Sequence, residues 1–599
     1  MSFNADLATR LEQIASLLEL TGADRFRVNA YAKAARVVGD QPRDLAELAS
    51  DPGALTEIEG IGKKMAEKIA EFHETGEITE HTELLEEVPG GLLDLLEIPG
   101  LGPKTVALLW KEKNITDLAG LEKSIEDGSI LDLPRMGKKT VENIKAAIAF
   151  SKSSGQRLNI GVAMPVAEAI VEQILKVKGV KKAAFAGSLR RGKETIGDID
   201  ILAVADDPEK AHKAFTSLPG VLQVLASGKT KSSVRHTLET DADRWGKLSD
   251  AAPAVQVDLR VVPDASWGAA MLYFTGSKEH NVRMRERAIK RGMTLNEYGL
   301  YKADEDDKDK KPPQERGEKP VAGDTEQSVF KALDLVYVEP ELREDRGEMD
   351  LKEAPKLVTV DGIKAELHAH TTESDGSMSL DELIQQAIDR GYHTIAVTDH
   401  SKSAIQANGL SVERLGKQHG AIEQARERFG KMITILAGSE VDILADGSLD
   451  YADDVLAELD FVVASPHAAL SQEPGAATKR LLKAIEHPAV RVLGHPTGRL
   501  INRRKGLEPA MDELFAAAKE HKVALEINAH WMRLDLRDTH VLAAAEAGCL
   551  IAINTDAHAR ADFDNLRYGV LTARRGRLGP DQCVNTWSKT KLAEWASGG

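Results

Sequence analysis

The sequence predicts a multidomain protein with an all-α N-terminal region, a mixed α/β middle region and a C-terminal barrel of alternating strands and helices. Three observations support this fold class. The first 150 residues form short amphipathic patterns interrupted by glycine and proline. Residues 157–345 alternate helical patterns with β-rich runs such as VQVDLRVV. From about residue 362, β-rich runs are usually followed by Ala/Leu/Glu-rich helices, which is typical of βαβ units in a parallel sheet or barrel.

Composition narrows the class of protein. The length of 599 residues corresponds to roughly three to five domains. A net charge of −17 argues against a uniformly basic nucleic-acid coat, so DNA contacts have to come from local basic patches or backbone amides. The two cysteines are too few for a disulfide framework, and no apolar stretch is long enough to cross a membrane. The N-terminus does not resemble a signal peptide, so we expect a cytoplasmic protein.

Three N-terminal segments repeat one pattern, IEGIGKKM at 58–65, IPGLGPKT at 98–105 and LPRMGKKT at 133–140. Each segment has the helix-hairpin-helix pattern, which consists of an apolar residue, a tight turn and the lysine-bearing start of a helix. The backbone amides of such a turn can bind a phosphate without reading the base sequence. An ordinary αα-hairpin turn is the alternative. The third copy has Arg135 in place of a glycine, which leaves its phosphate binding open. The candidate DNA-binding residues are Gly60, Gly62, Lys64, Gly100, Gly102 and Lys104.

The stretch AFAGSLRRGKETIGDIDILAV, at 184–204, holds the first candidate active site. Alternate residues of a strand project from one face, so Asp198 and Asp200 can share metal ions, and Asp258 on a second strand could add a third carboxylate. Oxygen ligands suit Mg²⁺, with Mn²⁺ as a substitute, and two such ions support in-line phosphoryl transfer. The residues placed to bind the phosphates of a nucleoside triphosphate are Ser188, Arg191 and Gly197.

The next motif, LYFTGSKEHNVRMRERAIKRGMTLNEYGL at 272–300, resembles the nucleotide-binding and thumb region of family X DNA polymerases. The resemblance covers roughly residues 1–340 and implies a nucleotidyltransferase palm with a thumb, acting on dNTPs and on gapped or primer–template DNA. It places Tyr273 and Phe274 against the sugar, with Gly276 in the same turn. It also places Asn281 at the minor-groove side of the base and Arg285 at the template strand.

Residues 20–80 resemble the lyase domain of DNA polymerase beta through FRVNAYAKAARVV (26–38) and GIGKKMAEKIAEFHETG (60–76). The resemblance implies that Lys68 is the Schiff-base lysine and that Tyr31 faces it. However, Glu80 and Thr56 stand where lysines of a 5′-phosphate pocket are expected. Lyase activity and a surface lysine near DNA therefore both stay open.

The β-rich runs after residue 362 carry His, Asp or Glu at or next to their C-terminal ends, where functional residues of such barrels lie. This region, 362–590, resembles the PHP (polymerase and histidinol phosphatase) domain. The resemblance implies a distorted (β/α)7 barrel that hydrolyses phosphoesters. It also implies a set of metal ligands, namely His368, His370, Asp375, His400, Glu440, His467, His495, Asp556 and His558.

The mixed imidazole and carboxylate ligands of this set suit Mn²⁺, Zn²⁺ or Fe²⁺, with room for up to three ions and Glu440 able to bridge two of them. Asp399 is interpreted as the partner of a ligating histidine. Four arginines are weaker candidates for phosphate contacts, with surface solubility as the alternative: Arg499, Arg503, Arg504 and Arg533.

We expect the chain to divide into a lyase-like helical domain (1–80), a fingers-like helical domain (81–156), the palm (157–262), the thumb and dNTP-selection region (263–345), a linker (346–361) and the PHP domain (362–590). Because a polar segment joins the two halves, we expect little direct coupling between the polymerase site and the barrel site.

The combined resemblance implies a monomeric polymerase that fills short gaps during DNA repair, with a 3′–5′ exonuclease or 3′-end-processing phosphoesterase in the barrel. One alternative is a polymerase whose barrel acts only on small phosphoesters. Another is a DNA-binding scaffold in which both sites are idle.

Overall fold

The computed structural model describes residues 3–41, 45–96, 98, 101–134, 136–138, 140–142, 144–145, 148, 157–238, 254–303 and 311–598. The described residues before Arg157 form one compact unit, and those from Arg157 onward form a second. Gly100 and Arg135 lie outside the described residues. Across these ranges, no helix combines the length and apolarity needed to cross a membrane.

The regular secondary structure among the described residues of the first unit is helical, as predicted. Helix α4 follows the extended Gly62 and ends at Gly76, whose φ of 74° closes the helix in the left-handed region. Apolar side chains from successive helices, such as Leu7, Ile69 and Leu109, share one buried core. The helices are α1 (Phe3–Thr21), α2 (Arg25–Asp40), α3 (Pro52–Thr56), α4 (Lys63–Thr75), α5 (Thr79–Glu87), α6 (Gly91–Leu96), α7 (Pro103–Lys113) and α8 (Leu118–Glu126).

The second unit begins with the palm, a five-stranded mixed sheet in the order β2-β4-β7-β6-β5. Strand β7 shows the predicted alternation, because Val257 and Leu259 enter the apolar core while Asp258, between them, projects from the other face. The strands are β1 (Leu158–Asn159), β2 (Val180–Phe185), β3 (Thr195–Ile196), β4 (Ile199–Ala205), β5 (Val221–Ser227), β6 (Lys231–Thr237) and β7 (Ala254–Val261), and the helices are α9 (Ile160–Leu175), α10 (Gly187–Arg190) and α11 (Pro208–Thr216).

The thumb region packs around a small apolar core that includes Met284 and Phe330. It contains α12 (Trp267–Thr275), α13 (Lys278–Lys290), the hairpin strands β8 (Met293–Asn296) and β9 (Gly299–Lys302), and α14 (Glu326–Ala332).

The C-terminal barrel consists of seven parallel strands that pair in sequence order, which confirms the predicted fold class. A bridge between Ala369 and Ala557 brings the ends of the first and last strands together. The strands are β10 (Ala365–Glu366), β11 (Thr394–Val397), β12 (Thr434–Asp442), β13 (Phe461–Ser465), β14 (Val490–Leu493), β15 (Ala524–Asn528) and β16 (Ile551–Asn554). The helices are α15 (Leu380–Asp389), α16 (Val412–Phe429), α17 (Asp453–Leu456), α18 (Pro474–Ile485), α19 (Met511–Glu520), α20 (Asp538–Ala547), α21 (Leu566–Arg575) and α22 (Lys589–Ala596).

The palm and the barrel share a packed interface. Ile501, Leu534 and Tyr568 of the barrel are buried in the apolar core of the palm. Gly161 of α9 lies so close to Trp531 that a β-carbon there would sit 2.2 Å from the indole. The strand–helix pattern of the barrel does not reveal this interface, because its apolar residues lie mainly in loops outside that pattern.

The polar connection at 346–361 packs against both the thumb region and the barrel. Glu348 is buried and accepts a hydrogen bond from Nδ1 of His280 in α13 at 2.8 Å. Val358 enters the apolar core of the barrel. The hydrogen bond from His280 offsets the cost of burying the Glu348 carboxylate.

Candidate functional site

The palm places its three aspartates on two adjacent strands. Asp198 directly precedes β4, Asp200 lies in β4, and Asp258 lies opposite Asp200 in the parallel pairing of β4 with β7. Lys231 Nζ is 2.5 Å from Asp258 Oδ2, and Gln256 donates to the other oxygen at 3.2 Å. The structure therefore brings the predicted carboxylates together at one end of the sheet.

The electrostatics of these carboxylates favour cation binding. Partial burial, followed by the charges of Asp198 and Asp258, raises the pKa of Asp200 to about 7. A carboxylate that resists ionisation because of its neighbours is stabilised in its charged form by a nearby divalent cation. The donor set therefore fits the hard oxygen-binding metals that the sequence predicts.

The closeness of Asp200 to the backbone explains why residue 187, before Ser188, is a glycine. Gly187 adopts a φ of 63°, and a β-carbon there would lie 2.8 Å from Asp200 Oδ2. Only glycine allows the backbone both this conformation and this distance. The short helix α10 that follows carries Ser188, and Arg191 ends it. The predicted phosphate-binding segment is thus held directly beside the aspartates.

The predicted nucleotide-binding motif sits at the end of a helix and the turn after it. Tyr273 and Phe274 lie in the last turn of α12 with ring centroids 5.0 Å apart. Gly276 follows with a φ of 69°, and Asn281 Nδ2 donates to the carbonyl oxygen of Tyr273 at 2.6 Å. Arg285 is half-buried on α13. The contacts of these residues with a nucleotide or template stay predictions.

The first two hairpins present exposed glycines at helix starts. Gly60 has a φ of 102°, while Gly62 and Gly102 are extended residues immediately before α4 and α7. A β-carbon at Gly62 or Gly102 would meet no atom within 4 Å. Lys64 and Lys104 are exposed in the first turns of these helices. The exposed backbone amides at the N-termini of these two helices are suited to binding a phosphate.

We expect Gly62→Val and Gly102→Val to weaken DNA binding by about tenfold each, because a branched side chain keeps phosphate oxygens away from the amides. The loss should be equal for unrelated DNA sequences, since phosphate contacts carry no base readout. Fluorescence anisotropy with two unrelated duplexes measures it.

Gly475→Val provides the matched control, because Gly475 also lies in the open first turn of a helix but in the barrel. Both hairpin glycines have extended φ values of −85° and −80°, which valine adopts, so folding should survive. Unchanged affinity in folded variants would make the hairpins structural elements only.

Lys68, the candidate lyase nucleophile, is held by carboxylates. Its Nζ lies 3.0 Å from Glu71 Oε2 and 3.8 Å from Glu80 Oε2. Glu80 also accepts hydrogen bonds from the Tyr31 hydroxyl and, at 2.7 Å, from Arg27. Tyr31 and Lys68 therefore contact the same acidic residue, Glu80, in the place where a basic pocket was expected.

The barrel gathers the predicted ligands into one cluster at the C-terminal ends of its strands. Within the described parts of the chain, the groups of three or more candidate ligands with ligand atoms within 4.8 Å of one another all belong to this barrel. The groups are His370 with Asp375, His400 and His558; His368 with His370, Glu440 and Asp556; and His400 with Glu440 and His467.

Glu440 lies at the centre of this cluster. Its carboxylate oxygens are 2.8 Å from His400 Nδ1, 2.9 Å from His495 Nε2 and 3.2 Å from Nε2 of both His368 and His467. His495 thus joins the other predicted ligands through Glu440. A central carboxylate between imidazoles from several strands is suited to bridging two cations.

The cluster lowers the pKa values of Glu440 and His370, whereas Glu440 and Asp442, acting against burial, raise the pKa of His467 to about 10. Burial opposes ionisation of Glu440, but His467, His368 and His400 outweigh it and hold the pKa of Glu440 well below its usual range. Burial together with His558 and His400 lowers the pKa of His370 to about 4. His370 is therefore neutral at physiological pH, as a metal ligand must be.

Two residues that orient the ligands were missed by the sequence analysis. Glu526 accepts hydrogen bonds from His368 Nδ1 at 2.8 Å and from the backbone amide of His495 at 2.7 Å. Asp442 accepts one from His467 Nδ1 at 2.5 Å. An acidic residue inside an otherwise apolar strand, as in VALEIN, is the signal that could have found Glu526.

Asp399 differs from its prediction as a partner of a ligating histidine. Its carboxylate accepts hydrogen bonds from the amide of Thr371 at 2.8 Å, from the Thr371 hydroxyl at 2.7 Å and from Gln418. Asp399 therefore holds the loop that follows His370, and it acts through the backbone rather than through an imidazole.

The arginine candidates separate into different roles. Arg499 pairs with Glu194 of the palm at 2.7 Å, and Arg504 donates to the carbonyl of Gly498 at 2.9 Å, so both are structural. Arg503 is exposed. Arg533 Nε lies 3.9 Å from Asp556 Oδ2, beside the ligand cluster, and stays a candidate for a phosphate contact.

Family models of known proteins match most of the chain, from the N-terminal helices to the first part of the barrel. The matching family models are the helix-hairpin-helix domain over residues 2–78, the SAM-like helix-hairpin-helix tandem over 92–149, the DNA polymerase beta palm over 163–264, the DNA polymerase beta thumb over 270–344 and the PHP domain over 366–530.

Three relatives cover different parts of the chain. DNA polymerase lambda of Rattus norvegicus is 27% identical over 57% of the chain and 56% of its own length. A probable phosphatase of Caldicellulosiruptor bescii is 30% identical over 34% of the chain and 82% of its own length. The DNA polymerase/3′-5′ exonuclease PolX of Bacillus subtilis is 36% identical over 98% of the chain and 96% of its own length. Because this last similarity spans both halves, the chain belongs to the family X DNA polymerases that carry a C-terminal PHP domain.

Proposed function

We propose that the palm adds dNTPs to a primer 3′-hydroxyl at Asp198, Asp200 and Asp258. The observation that carries this proposal is the placement of Asp200 between Asp258 and the tight Gly187 turn. When bound there, Mg²⁺ or Mn²⁺ lowers the pKa of the 3′-hydroxyl and neutralises charge on the triphosphate. The raised pKa of Asp200 supports cation binding, since the three carboxylates repel one another without one.

The remaining palm and thumb residues would orient the nucleotide. Ser188, Arg191 and Gly197 bind the β- and γ-phosphates, with the guanidinium of Arg191 making charge-assisted hydrogen bonds. Tyr273, Phe274 and Gly276 support the sugar, and Asn281 reaches the base edge. Arg285 contacts the template, and the two hairpins hold the DNA backbone. Fixed donors of this kind catalyse by positioning rather than by covalent chemistry.

We infer that the barrel is a 3′–5′ exonuclease or 3′-end-processing phosphoesterase. The residues His368, His370, Glu440 and Asp556 would hold the ions, together with Asp375, His400, His467, His495 and His558. When bound, borderline metals such as Mn²⁺, Zn²⁺ or Fe²⁺ activate water for attack on the phosphodiester. Glu526 and Asp442 fix the orientation of two imidazoles, and Arg533 is available for a substrate phosphate.

A single assay separates this proposal from its alternatives. A 5′-labelled primer on a gapped duplex is incubated with dNTPs, without dNTPs, and with a small phosphoester in place of DNA, while metal content is measured on the same sample. Extension and shortening of the primer support gap-filling repair synthesis with a 3′–5′ exonuclease. Extension with hydrolysis of the small substrate alone identifies the narrower phosphoesterase. A metal-free protein that binds DNA without either reaction is a scaffold.

The lyase region yields a separate expectation. An ammonium paired with two carboxylates must leave them and lose a proton before the resulting neutral amine can attack a sugar aldehyde. We therefore expect borohydride to trap little covalent adduct between the unmodified chain and a 5′-deoxyribose-phosphate substrate. Glu80→Gln should increase trapping, because it removes one partner of Lys68, and adding Lys68→Ala should abolish the increase. Strong trapping by the unmodified chain that Lys68→Ala removes would establish Lys68 as an active lyase nucleophile.

The compartment and assembly follow from the same proposal. A DNA-repair polymerase of this family acts where the chromosome is, which supports the cytoplasm of a bacterial cell. The monomeric state stays a prediction, and the elution volume of the purified chain tests it.

A further inference from the structure

The side chain of Arg191 is fixed before any nucleotide arrives. Its Nε donates to Glu344 Oε1 at 2.9 Å, and its Nη1 donates to the carbonyl oxygen of Thr275 at 2.5 Å. Gly276 adjoins this contact, since a β-carbon there would lie 3.2 Å from Arg191 Nη1. Two of the three nitrogens of the guanidinium are therefore used to orient it, and the hydrogen bonds of the described residues leave Nη2 for a ligand.

The acceptor that orients Arg191 is itself held by the barrel. The same oxygen of Glu344 accepts a hydrogen bond from Arg575 Nη1 at 2.7 Å. Arg575 is the last residue of α21 and belongs to the barrel, while Arg191 belongs to the palm. One carboxylate oxygen thus joins a guanidinium from each domain.

Arg575 also contacts the phosphate-binding segment directly. Its Nη1 donates to the backbone carbonyl oxygen of Arg191 at 2.8 Å. On its other side, Nε and Nη2 donate to Asp538 Oδ2 at 3.0 and 2.7 Å. Asp538 lies in α20 of the barrel and accepts a further hydrogen bond from Arg346 at 3.0 Å. Arg575 is therefore anchored in the barrel and reaches both the backbone and the side-chain partner of Arg191.

Burial restricts the movement of the side chains in this network. The side chain of Arg575 is 3% exposed, and those of Arg191 and Glu344 are 11% and 10% exposed. Although burial opposes ionisation of Glu344, Arg575 and Arg191 hold its pKa far below the usual range, so the carboxylate stays charged. Breaking one member of a buried charged network is costly because the others lose their partner.

We propose that Arg575 of the barrel is a positioning residue for the triphosphate-binding segment Gly187–Gly192 of the polymerase site. It does not touch the nucleotide. It fixes the carbonyl and the carboxylate that together set where the Arg191 guanidinium points. The inference rests on the proposed role of Arg191 in binding the β- and γ-phosphates, and it makes the barrel a required part of a site that contains no barrel ligand.

The test measures steady-state extension of a single-nucleotide gap by the full-length chain. Arg575→Lys keeps the charge but, with one nitrogen in place of three, cannot serve Asp538, Glu344 and the Arg191 carbonyl together. We expect the dNTP KM to rise about tenfold with a smaller change in kcat. Inhibition by inorganic pyrophosphate should weaken in parallel, because pyrophosphate uses the same segment, whereas DNA affinity should stay the same.

Arg567→Gln is the matched control. Arg567 also lies in α21 and pairs with Glu168 of the palm at 3.0 Å, but this pair does not involve Arg191. It should leave the dNTP KM and pyrophosphate inhibition unchanged. An equal rise in KM for Arg567→Gln and Arg575→Lys would mean that any weakening of the interface has this effect, and would overturn the specific role of Arg575.

Arg191→Gln separates failure of the inference from failure of the proposed function. If it raises the dNTP KM and Arg575→Lys does not, the inference is wrong and the nucleotide role of Arg191 stands. If Arg191→Gln leaves KM unchanged, both roles fail. If Arg575→Lys does not fold, by loss of its thermal transition, Glu344→Gln replaces it. That variant keeps a side chain of the same shape and should raise KM by a smaller factor, while an unchanged KM would again overturn the inference.

Discussion

Asp200→Ala is expected to lower dNTP incorporation by about 1,000-fold or more in either Mg²⁺ or Mn²⁺. Removing this carboxylate leaves Asp198 and Asp258 without the ligand that lies between them and the Gly187 turn. Loss of several kcal/mol of transition-state stabilisation corresponds to a rate loss of that size. Primer extension under single-turnover conditions measures it, and the 3′–5′ degradation of the same primer should continue at its normal rate.

Asp206→Ala is the control for this substitution. Asp206 follows the other end of the same strand and pairs with Lys181 at 2.6 Å on the surface, so its loss should leave extension unchanged. Near-normal extension by a folded Asp200→Ala chain would show that the aspartates do not form the polymerase site.

His370→Ala is expected to produce the reverse pattern, with DNA degradation reduced by about 1,000-fold and primer extension retained. His370 belongs to two of the three ligand groups of the barrel, and the substitution removes a ligand atom from both. Degradation of a 3′-labelled primer in Mn²⁺ measures the loss, and metal content should fall in the same preparation. His467→Ala should behave alike, since it breaks the third group.

His521→Ala serves as the control, because His521 is an exposed histidine at the end of α19, outside the ligand groups. Degradation that survives His370→Ala would locate the nuclease elsewhere or in a contaminant. Loss of extension as well, with the fold intact, would show that the two reactions depend on one another through the packed interface.

Local sequence patterns predicted the residues whose role depends on a strand end or a turn. Asp198 and Asp200 were predicted to lie together because alternate residues of a strand share a face, and the resemblance to the PHP domain implied the set of barrel ligands. The structure adds the reason for the glycine before Ser188, since a β-carbon at Gly187 would lie 2.8 Å from Asp200 Oδ2.

The residues that sequence reasoning missed act over long separations. Glu344 is 153 residues from Arg191, and Glu526 is 158 residues from His368. Their partners become apparent only when the chain is folded, because a carboxylate in a helical or apolar context is compatible with many arrangements. The packing of Ile501 and Leu534 into the palm was hidden for the same reason.

The shared core of palm and barrel has a consequence for how this protein can be divided. The polar connection at 346–361 looks like a natural place to cut, yet a chain ending there would leave the apolar core of the palm without Ile501, Leu534 and Tyr568, which are buried in it. The separated barrel would in turn present Trp531 and Tyr568 to water. Truncation at this point would therefore yield two fragments with exposed apolar surfaces, which are prone to aggregate, rather than two working enzymes. Recombining the halves of related chains should succeed only when both sides of this interface are exchanged together.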